Sequence, residues 1–255
     1  MTVTDVNVVK SAIFERPDDA NKGTLGSLLC VCGSYGMAGA AVMSAKGALR
    51  TGIGLAKCAL PRSIYPIVAQ TILESVYYSL NENADGRISK VNVPFLVSES
   101  CKSSATLVGC GLGVCDDTLK IVFSLIENST TPLVLDADAL NCVAKQPEIL
   151  LRKKAPIIIT PHPGEMSRLT GLATPLVNAE RERVALDFAQ KYGVVTVLKG
   201  AGTVIASPNG KVLVNPTGNS GMATGGSGDV LAGMTASILA QGASCLLYTS
   251  PSPRD

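Results

Sequence analysis

Leu28-Leu29-Cys30-Val31-Cys32-Gly33-Ser34, with Met37 to Arg50 close behind, is the stretch that sets the fold. A short apolar run that stops at a glycine turn reads as a strand. From Met37 to Arg50, Ala, Met and Leu dominate at helical spacing, so the unit is strand, glycine turn, helix. It recurs along the chain. Ile53–Leu60 reads as the next strand, closed by Pro61, and Ala105–Val108 as another, ending in Gly109-Cys110-Gly111-Leu112-Gly113 ahead of a helical pattern over Asp116–Ile126. Pro132–Leu135 stops at Asp136-Ala137-Asp138, with a short helix after it, and Ala155–Thr160 stops at Pro161-His162-Pro163-Gly164-Glu165. Such alternation predicts an α/β fold: a mostly parallel central sheet with helices on both faces.

Asn178–Tyr192 is the clearest helix, with Arg and Glu on one side, Val184, Leu186, Phe188 and Ala189 on the other, and Gly193 as its stop. Val194–Leu198, Thr203–Ala206 and Val212–Val214 read as three close strands joined by Lys199-Gly200-Ala201-Gly202 and by the hairpin signal Pro208-Asn209-Gly210. They predict a small antiparallel edge near the C-terminal part. Gly218 to Gly228 is a loop with five glycines in eleven residues, and Asp229 is expected to open a last apolar helix. Neither a repeat nor a linker interrupts this order, which predicts one domain over residues 1–245. Leu246–Asp255 is polar and proline-containing, resembles adaptor-derived sequence, and is read as a non-native or disordered tail.

Composition narrows the function. At 46% hydrophobic and 16% charged residues, with a mean hydropathy of +0.31, much of the chain must be buried, as a sheet covered on both faces requires. A net charge of +2 gives no basic field, and 4% aromatics with no Trp give no stacking platform, so nucleic acid is excluded as a partner. Eight cysteines sit mostly in apolar runs without a CxxC pair, and Met1–Lys10 lacks an apolar leader core. A reducing cytoplasm fits better than zinc or disulfides. Val230–Ser250 is uncharged, but Gln241 and several Ser and Thr make it a buried helix rather than a membrane span.

In an open parallel sheet ligands sit outside the carboxyl ends of strands, so the loops at Gly33, Gly109–Gly113, Asp136 and Pro161–Glu165 should line one cleft. The glycine spacing at 109–113 does not match the dinucleotide fingerprint, and no GxxxxGK[ST] loop occurs. The most specific stretch is Asn215 to Asp229. Glycines free the backbone N–H groups to converge on an anion, and the following helix adds its positive end, which together make a phosphate or oxyanion site. Asp229 is then either a helix N-cap or a general base aimed at a hydroxyl beside the anion, and the glycine density favours the base. His162, set between two prolines, is either a loop residue bonded to backbone or a ligand contact; its rigid placement favours contact. Lys199-Gly200-Ala201-Gly202-Thr203 suits a nucleotide's phosphate or sugar, or is a solvated hairpin. Asp136 and Asp138 could meet magnesium through water, or one could cap the helix at Ala139–Ala144. The thiols, Met37 and Met222 are given packing roles only.

Six motifs in fixed order carry a resemblance. Gly33-Ser34-Tyr35 with Gly39-Ala40-Ala41, Gly109–Gly113, Asp136–Asn141, Thr160–Glu165, Lys199–Thr203 and Gly225-Gly226-Ser227-Gly228-Asp229 are similar to those of the ribokinase-like ADP- or ATP-dependent NAD(P)H-hydrate dehydratases, over about Phe14 to Gly242. The resemblance implies a ribokinase-like fold and a hydro-lyase that returns (6S)-hydrated NADH or NADPH to the reduced cofactor. A nucleotide phosphoanhydride drives it, ADP being favoured and giving AMP and phosphate, with Mg2+ as cofactor and no protein residue assigned as its ligand. Asp229 would be the base; Gly39, Ala40, Gly111, Gly113, Asn141 and His162 would hold the hydrate. Lys199, Gly200, Ala201, Gly202, Thr203, Asn219, Gly225, Gly226, Ser227 and Gly228 would hold the adenine nucleotide. Relatives are homo-oligomers, often tetramers. Cys110 replaces the usual proline and Cys32 the usual glycine, both tolerable as small residues. Members continue past the Asp229 helix and many carry an epimerase domain upstream, so this chain is expected to be C-terminally truncated. A vitamin-alcohol kinase of the same fold, for example on hydroxyethylthiazole, and a nucleotide-binding form without turnover are the other readings.

Overall fold

The computed structural model describes residues 23–243 together with residues 2, 3, 18 and 21. Among them ten strands form one sheet: β1 (Thr2–Val3), β2 (Ser27–Val31), β3 (Leu55–Pro61), β4 (Val76–Leu80), β5 (Ala105–Val108), β6 (Leu133–Leu135), β7 (Ile157–Ile159), β8 (Val195–Leu198), β9 (Thr203–Ala206) and β10 (Val212–Asn215). Their order is β1-β10-β9-β8-β7-β6-β5-β2-β3-β4. From β4 to β8 every neighbouring pair is parallel. The last two chain segments reverse: β9 is antiparallel to both β8 and β10. The expected antiparallel unit is present but is not the sheet's end, because β1 lies alongside β10 in parallel.

The helices are α1 (Ala38–Arg50), α2 (Tyr65–Thr71), α3 (Val93–Cys101), α4 (Asp116–Asn128), α5 (Asp138–Val143), α6 (Pro163–Thr170), α7 (Thr174–Ala179), α8 (Arg181–Tyr192) and α9 (Ser227–Ala240). Alternation along each strand divides the core between two faces. Leu29, Val31, Val108, Leu135 and Ile159 meet Leu96, Ile121, Leu140, Met166 and Phe188 on one face. Leu28, Cys30, Leu107, Val134 and Ile158 meet Ala41, Ala45, Val68, Ala232 and Ala236 on the other. There α1 and α9 cross closely on small residues: a Cβ at Gly47 would stand 2.7 Å from the Val230 carbonyl oxygen, and one at Gly233 2.0 Å from that of Ser44. Ser237 Oγ donates to Ala48 O at 2.9 Å across the same crossing. This contact fixes where α9 starts, and therefore where Asp229 stands.

Several expectations change. The single helix over Asn178–Tyr192 is two, because Glu180 leaves helical geometry at φ −124°, ψ 40°. Strand β4 and helices α2 and α3 had no sequence signal; β4 is an edge strand, largely solvent-facing, and lacks the continuous apolar run of a central strand. Helix α9 begins at Ser227 with Gly226 in the N-cap position, so Asp229 does not open it. Among the described residues no helix is long and apolar enough to cross a membrane, and the apolar run from Val230 is helical to Ala240. Cys30, Cys32, Cys58, Cys110 and Cys142 are buried free thiols. Cys245, the boundary at residue 245 and the tail Leu246–Asp255 lie outside the described residues.

Candidate active site

Chain order makes a cleft before any side chain is considered. From β2 the chain runs outward through β3 and β4, then returns to lay β5 on the other side of β2, so the connections leave these two strands in opposite directions. That is the switch point at which open parallel sheets bind ligands. Two glycine turns meet there: Gly33 N donates to Cys110 O at 2.8 Å, and Ser34 Oγ to Gly111 O at 2.8 Å. Gly111, at φ +66°, presses on α1; a Cβ there would lie 2.8 Å from that of Ala40. Gly39, by contrast, faces open space at the start of α1.

Beyond β6, β7 and β8 lies a buried charge cluster. Asp136 is 2% exposed, and its Oδ1 accepts from Lys199 Nζ and from Thr160 Oγ1, both at 2.7 Å. Lys199 Nζ is also 3.8 Å from Glu165 Oε2, which accepts from His162 N at 2.7 Å. The ligand atoms of Cys110, Asp136 and Asp229 all lie within 4.8 Å of one another. A Cβ on Gly228 would sit 3.6 Å from Lys199 Nζ, so the glycine ahead of Asp229 opens onto the ammonium. Asp136 and Glu165 pair with Lys199, Asp229 lies within its field and Arg168 also acts on Glu165, and the proton affinities follow. Burial raises the Asp229 carboxyl, Asp136 adding to the rise, against the lowering hydrogen bond from Cys110 and the pull of Lys199. Glu165 is pushed up to about 7, by burial first and by Asp136 against Lys199. Burial would lower Lys199, but Asp136 and Glu165 hold it above its ordinary value.

His162 is a helix cap: its Nδ1 accepts from Gly164 N at 3.0 Å and Glu165 N at 3.4 Å. The other nitrogen, Nε2, therefore carries the proton, 3.5 Å from Glu165 Oε1. Burial first, then Lys199 and Arg168 nearby, lower its basicity below that of a free imidazole, with Asp136 opposing them. The backbone-bonded reading is therefore observed, and the ring is half exposed.

The structure brings Ala40, Gly111, His162, Lys199, Gly228 and Asp229 to this end of the sheet, and gives the other expected residues local partners of their own. Asn141 has its amide committed: Nδ2 donates to Asp138 Oδ1 at 3.3 Å and Oδ1 accepts from Arg168 Nε at 2.9 Å. Gly113 gives its N–H to Asp138 Oδ2 at 2.8 Å and lies under Arg87. Asn219 caps its own short turn through Gly221 N at 2.9 Å. Thr203 Oγ1 donates to Gly200 O at 3.1 Å, closing the turn that carries Gly200, Ala201 and Gly202, and Ser227 Oγ donates to Thr224 O at 3.0 Å. Gly225 opens to space and Gly226, at φ +91°, lies against Met43. Neither Asp136 nor Asp138 caps α5, which follows Ala137 at φ 49°, ψ −115°. The packing-only view of Cys110 is corrected: its thiol faces Asp136 Oδ2 at 3.9 Å. Glu165 and Thr160 sat in a quoted motif but carried no role until their contacts appeared.

A family profile described as NAD(P)H-hydrate dehydratase matches residues 28–250. The chain belongs to the NAD(P)H-hydrate dehydratase family. Among its relatives, the bifunctional NAD(P)H-hydrate repair enzyme of Moorella thermoacetica is 39% identical over 91% of this chain and 44% of its own length. The chain thus spans less than half of that bifunctional relative. The ADP-dependent (S)-NAD(P)H-hydrate dehydratase of Bacillus subtilis is 33% identical over 91% of this chain and 78% of the relative. A crystal structure of the ADP/ATP-dependent NAD(P)H-hydrate dehydratase from Bacillus subtilis, co-crystallised with ATP/Mg2+, superposes with a TM-score of 0.82 at 30% identity, covering 97% of this chain and 84% of that one. Members of this dehydratase family thus share the mostly parallel sheet, reversed at its C-terminal strands, that this chain has.

Proposed function

We propose that the chain dehydrates (6S)-hydrated NADH or NADPH at the expense of a nucleotide phosphoanhydride, with ADP favoured. The observation that carries this reading is Asp229: a carboxylate of raised proton affinity, not a cap, in the first turn of α9 behind a glycine loop, within 4.8 Å of the Asp136 carboxylate that Lys199 pairs. Hydroxide is a poor leaving group. Asp229 takes the proton of the 6-hydroxyl as its oxygen bonds to the terminal phosphorus of ADP, and the bond to the bridging oxygen breaks to release AMP. The C6–O bond then breaks as the ring nitrogen lone pair pushes phosphate out, and loss of the C5 proton regenerates the dihydronicotinamide.

Asp229 works ionised, and its raised proton affinity makes it a stronger base than an ordinary aspartate. Gly225, Gly226 and Gly228 offer N–H groups at a helix N-terminus to the transferred phosphoryl, Ser227, whose N–H donates to Thr224 O, shapes that loop, and Lys199 supplies a fixed positive charge. Lys199–Thr203 and Asn219 hold the nucleotide; Gly39, Ala40, Gly111, Gly113, Asn141 and His162 hold the hydrate, His162 through its Nε2–H. The convergence of the Asp136 and Asp229 carboxylates within 4.8 Å fits a hard cation, and Asp136 would hold Mg2+ together with the nucleotide phosphates. When bound it neutralises phosphoryl charge. Cytoplasmic residence suits the buried free thiols, and exposed apolar side chains such as Leu73 and Ile67 support a homo-oligomer of single-domain chains.

The test is absorbance of the reduced nicotinamide band after mixing purified protein, enzymatically prepared hydrate, Mg2+, and ADP or ATP in parallel. Recovery with release of inorganic phosphate is expected. No recovery with either nucleotide defeats the reading.

A further inference from the structure

Arg181, the first residue of α8, belongs to none of the glycine motifs and is drawn onto one of them. Its Nη2 donates to Leu198 O at 2.8 Å and to Gly202 O at 3.4 Å, bridging the two ends of the turn that follows β8. Between those ends lies Gly200 at φ +148°; a Cβ there would stand 2.6 Å from Nη1 of the same guanidinium. The glycine is therefore required twice, by its backbone and by the plane that covers it. Arg181 Nε is buried with no acceptor among the described residues. A side chain placed only to satisfy itself would not leave a donor unmet, whereas one held by two carbonyls of a turn can. The turn it spans is Lys199-Gly200-Ala201-Gly202, whose Lys199 reaches Asp136 on the other side.

We propose that Arg181 is a positioning residue for the nucleotide: it clamps the Leu198 and Gly202 carbonyls and so holds the Lys199–Thr203 turn in the shape that receives an adenine nucleotide. This rests on the assignment of that turn to the nucleotide under the dehydratase reading. The planar fork matters, because one guanidinium reaches two carbonyls while lying flat over Gly200, which a lysine ammonium cannot do. The clamp touches neither the reacting oxygen nor phosphorus. Its loss should appear in nucleotide binding and leave the chemical step nearly intact.

The experiment compares the full chain with Arg181→Met and Arg181→Lys. Calorimetric Kd for ADP and ATP, and KM and kcat with the hydrate, are measured for each, and hydrogen exchange of the peptide covering residues 198–203 is followed without ligand. Arg181→Met should raise nucleotide Kd and KM tenfold or more, leave kcat and the hydrate KM within about threefold, and speed exchange in that peptide; Arg181→Lys should recover part of the loss. Unchanged nucleotide Kd in a folded Arg181→Met, or a fall in kcat with no change in nucleotide KM, overturns the clamp. A parent chain that binds nucleotide but restores no hydrate defeats the dehydratase reading and leaves the Kd comparison standing. Where the parent binds no nucleotide, exchange in the turn decides: equal rates in parent and Arg181→Met overturn the clamp.

Discussion

Two ion clusters sit at opposite ends of the same sheet, and their charge balance differs. At the amino end of the strands, Glu99 Oε1 accepts from Lys102 Nζ at 2.9 Å, Glu99 Oε2 accepts from Tyr78 OH at 2.9 Å, and Lys57 Nζ lies 3.7 Å away. Two ammonium groups and a phenol serve one carboxylate, and the Lys102 hydrogen bond, outweighing desolvation, holds Glu99 below the ordinary range. At the carboxyl end, Asp136 and Glu165 pair with Lys199 beside Asp229, and burial holds Glu165 and Asp229 above their ordinary values. The first cluster is complete and structural. In the second, burial outweighs the neighbouring cations Lys199 and Arg168 at Glu165, the opposite balance to that at Glu99.

Breaking the second cluster should hurt most where it does chemistry. Asp229→Asn is expected to lower kcat by about 10²- to 10⁴-fold, the range for removing a general base, while nucleotide Kd stays within a few fold. Single-turnover recovery of the nicotinamide band with a parallel binding titration checks this, and equal rates in parent and variant would sink the role. Lys199→Met comes next. It leaves Asp136 buried without its cation and should cost roughly 3–5 kcal/mol of unfolding free energy, read from denaturant midpoints, together with most nucleotide affinity.

Glu165→Gln sharpens the contrast through pH. An acid whose folded pKa is raised binds its proton more tightly when folded, so the contribution is fully present below the unfolded value near 4.5 and is lost as pH rises through about 7. The parent should lose roughly 3 kcal/mol across that window from this group, and the variant should show a flatter stability profile there. Matching slopes in the two proteins would contradict the burial argument. Glu99 has the opposite sign: its stabilisation is present above the unfolded value and fades as pH falls through the lowered folded pKa. Glu99→Gln should cost only about 1 kcal/mol at neutral pH and leave turnover unchanged, since the pair is partly solvated and far from the cleft.

Most of the parallel sheet was legible because each buried strand is an apolar run ended by a residue with a specific backbone demand. Gly33, Gly109 and Gly111, all at positive φ, mark turns that tolerate no side chain. The edge strand Val76–Leu80 and the pairing of Thr2–Val3 with Leu213–Val214 were not legible, since half-exposed or two-residue strands carry no such pattern. In the site, His162, Lys199 and Asp229 stood out by their place among glycines and prolines. Cys110, Glu165 and Arg181 did not: a thiol in an apolar run, an acid at a helix start and an arginine on an amphipathic helix each have an ordinary reading.

By itself the sequence determined the succession of buried parallel strands and glycine turns, the family and the loops that must gather at one end of the sheet, because periodicity and backbone freedom are local properties. Tertiary structure alone decided that Lys199 meets Asp136 across 63 residues and Glu165 beside it, that Asp229 stands inside a helix rather than capping it, and that Arg181 closes over Gly200. Those outcomes depend on distance and burial, and both are set by which strands end up side by side.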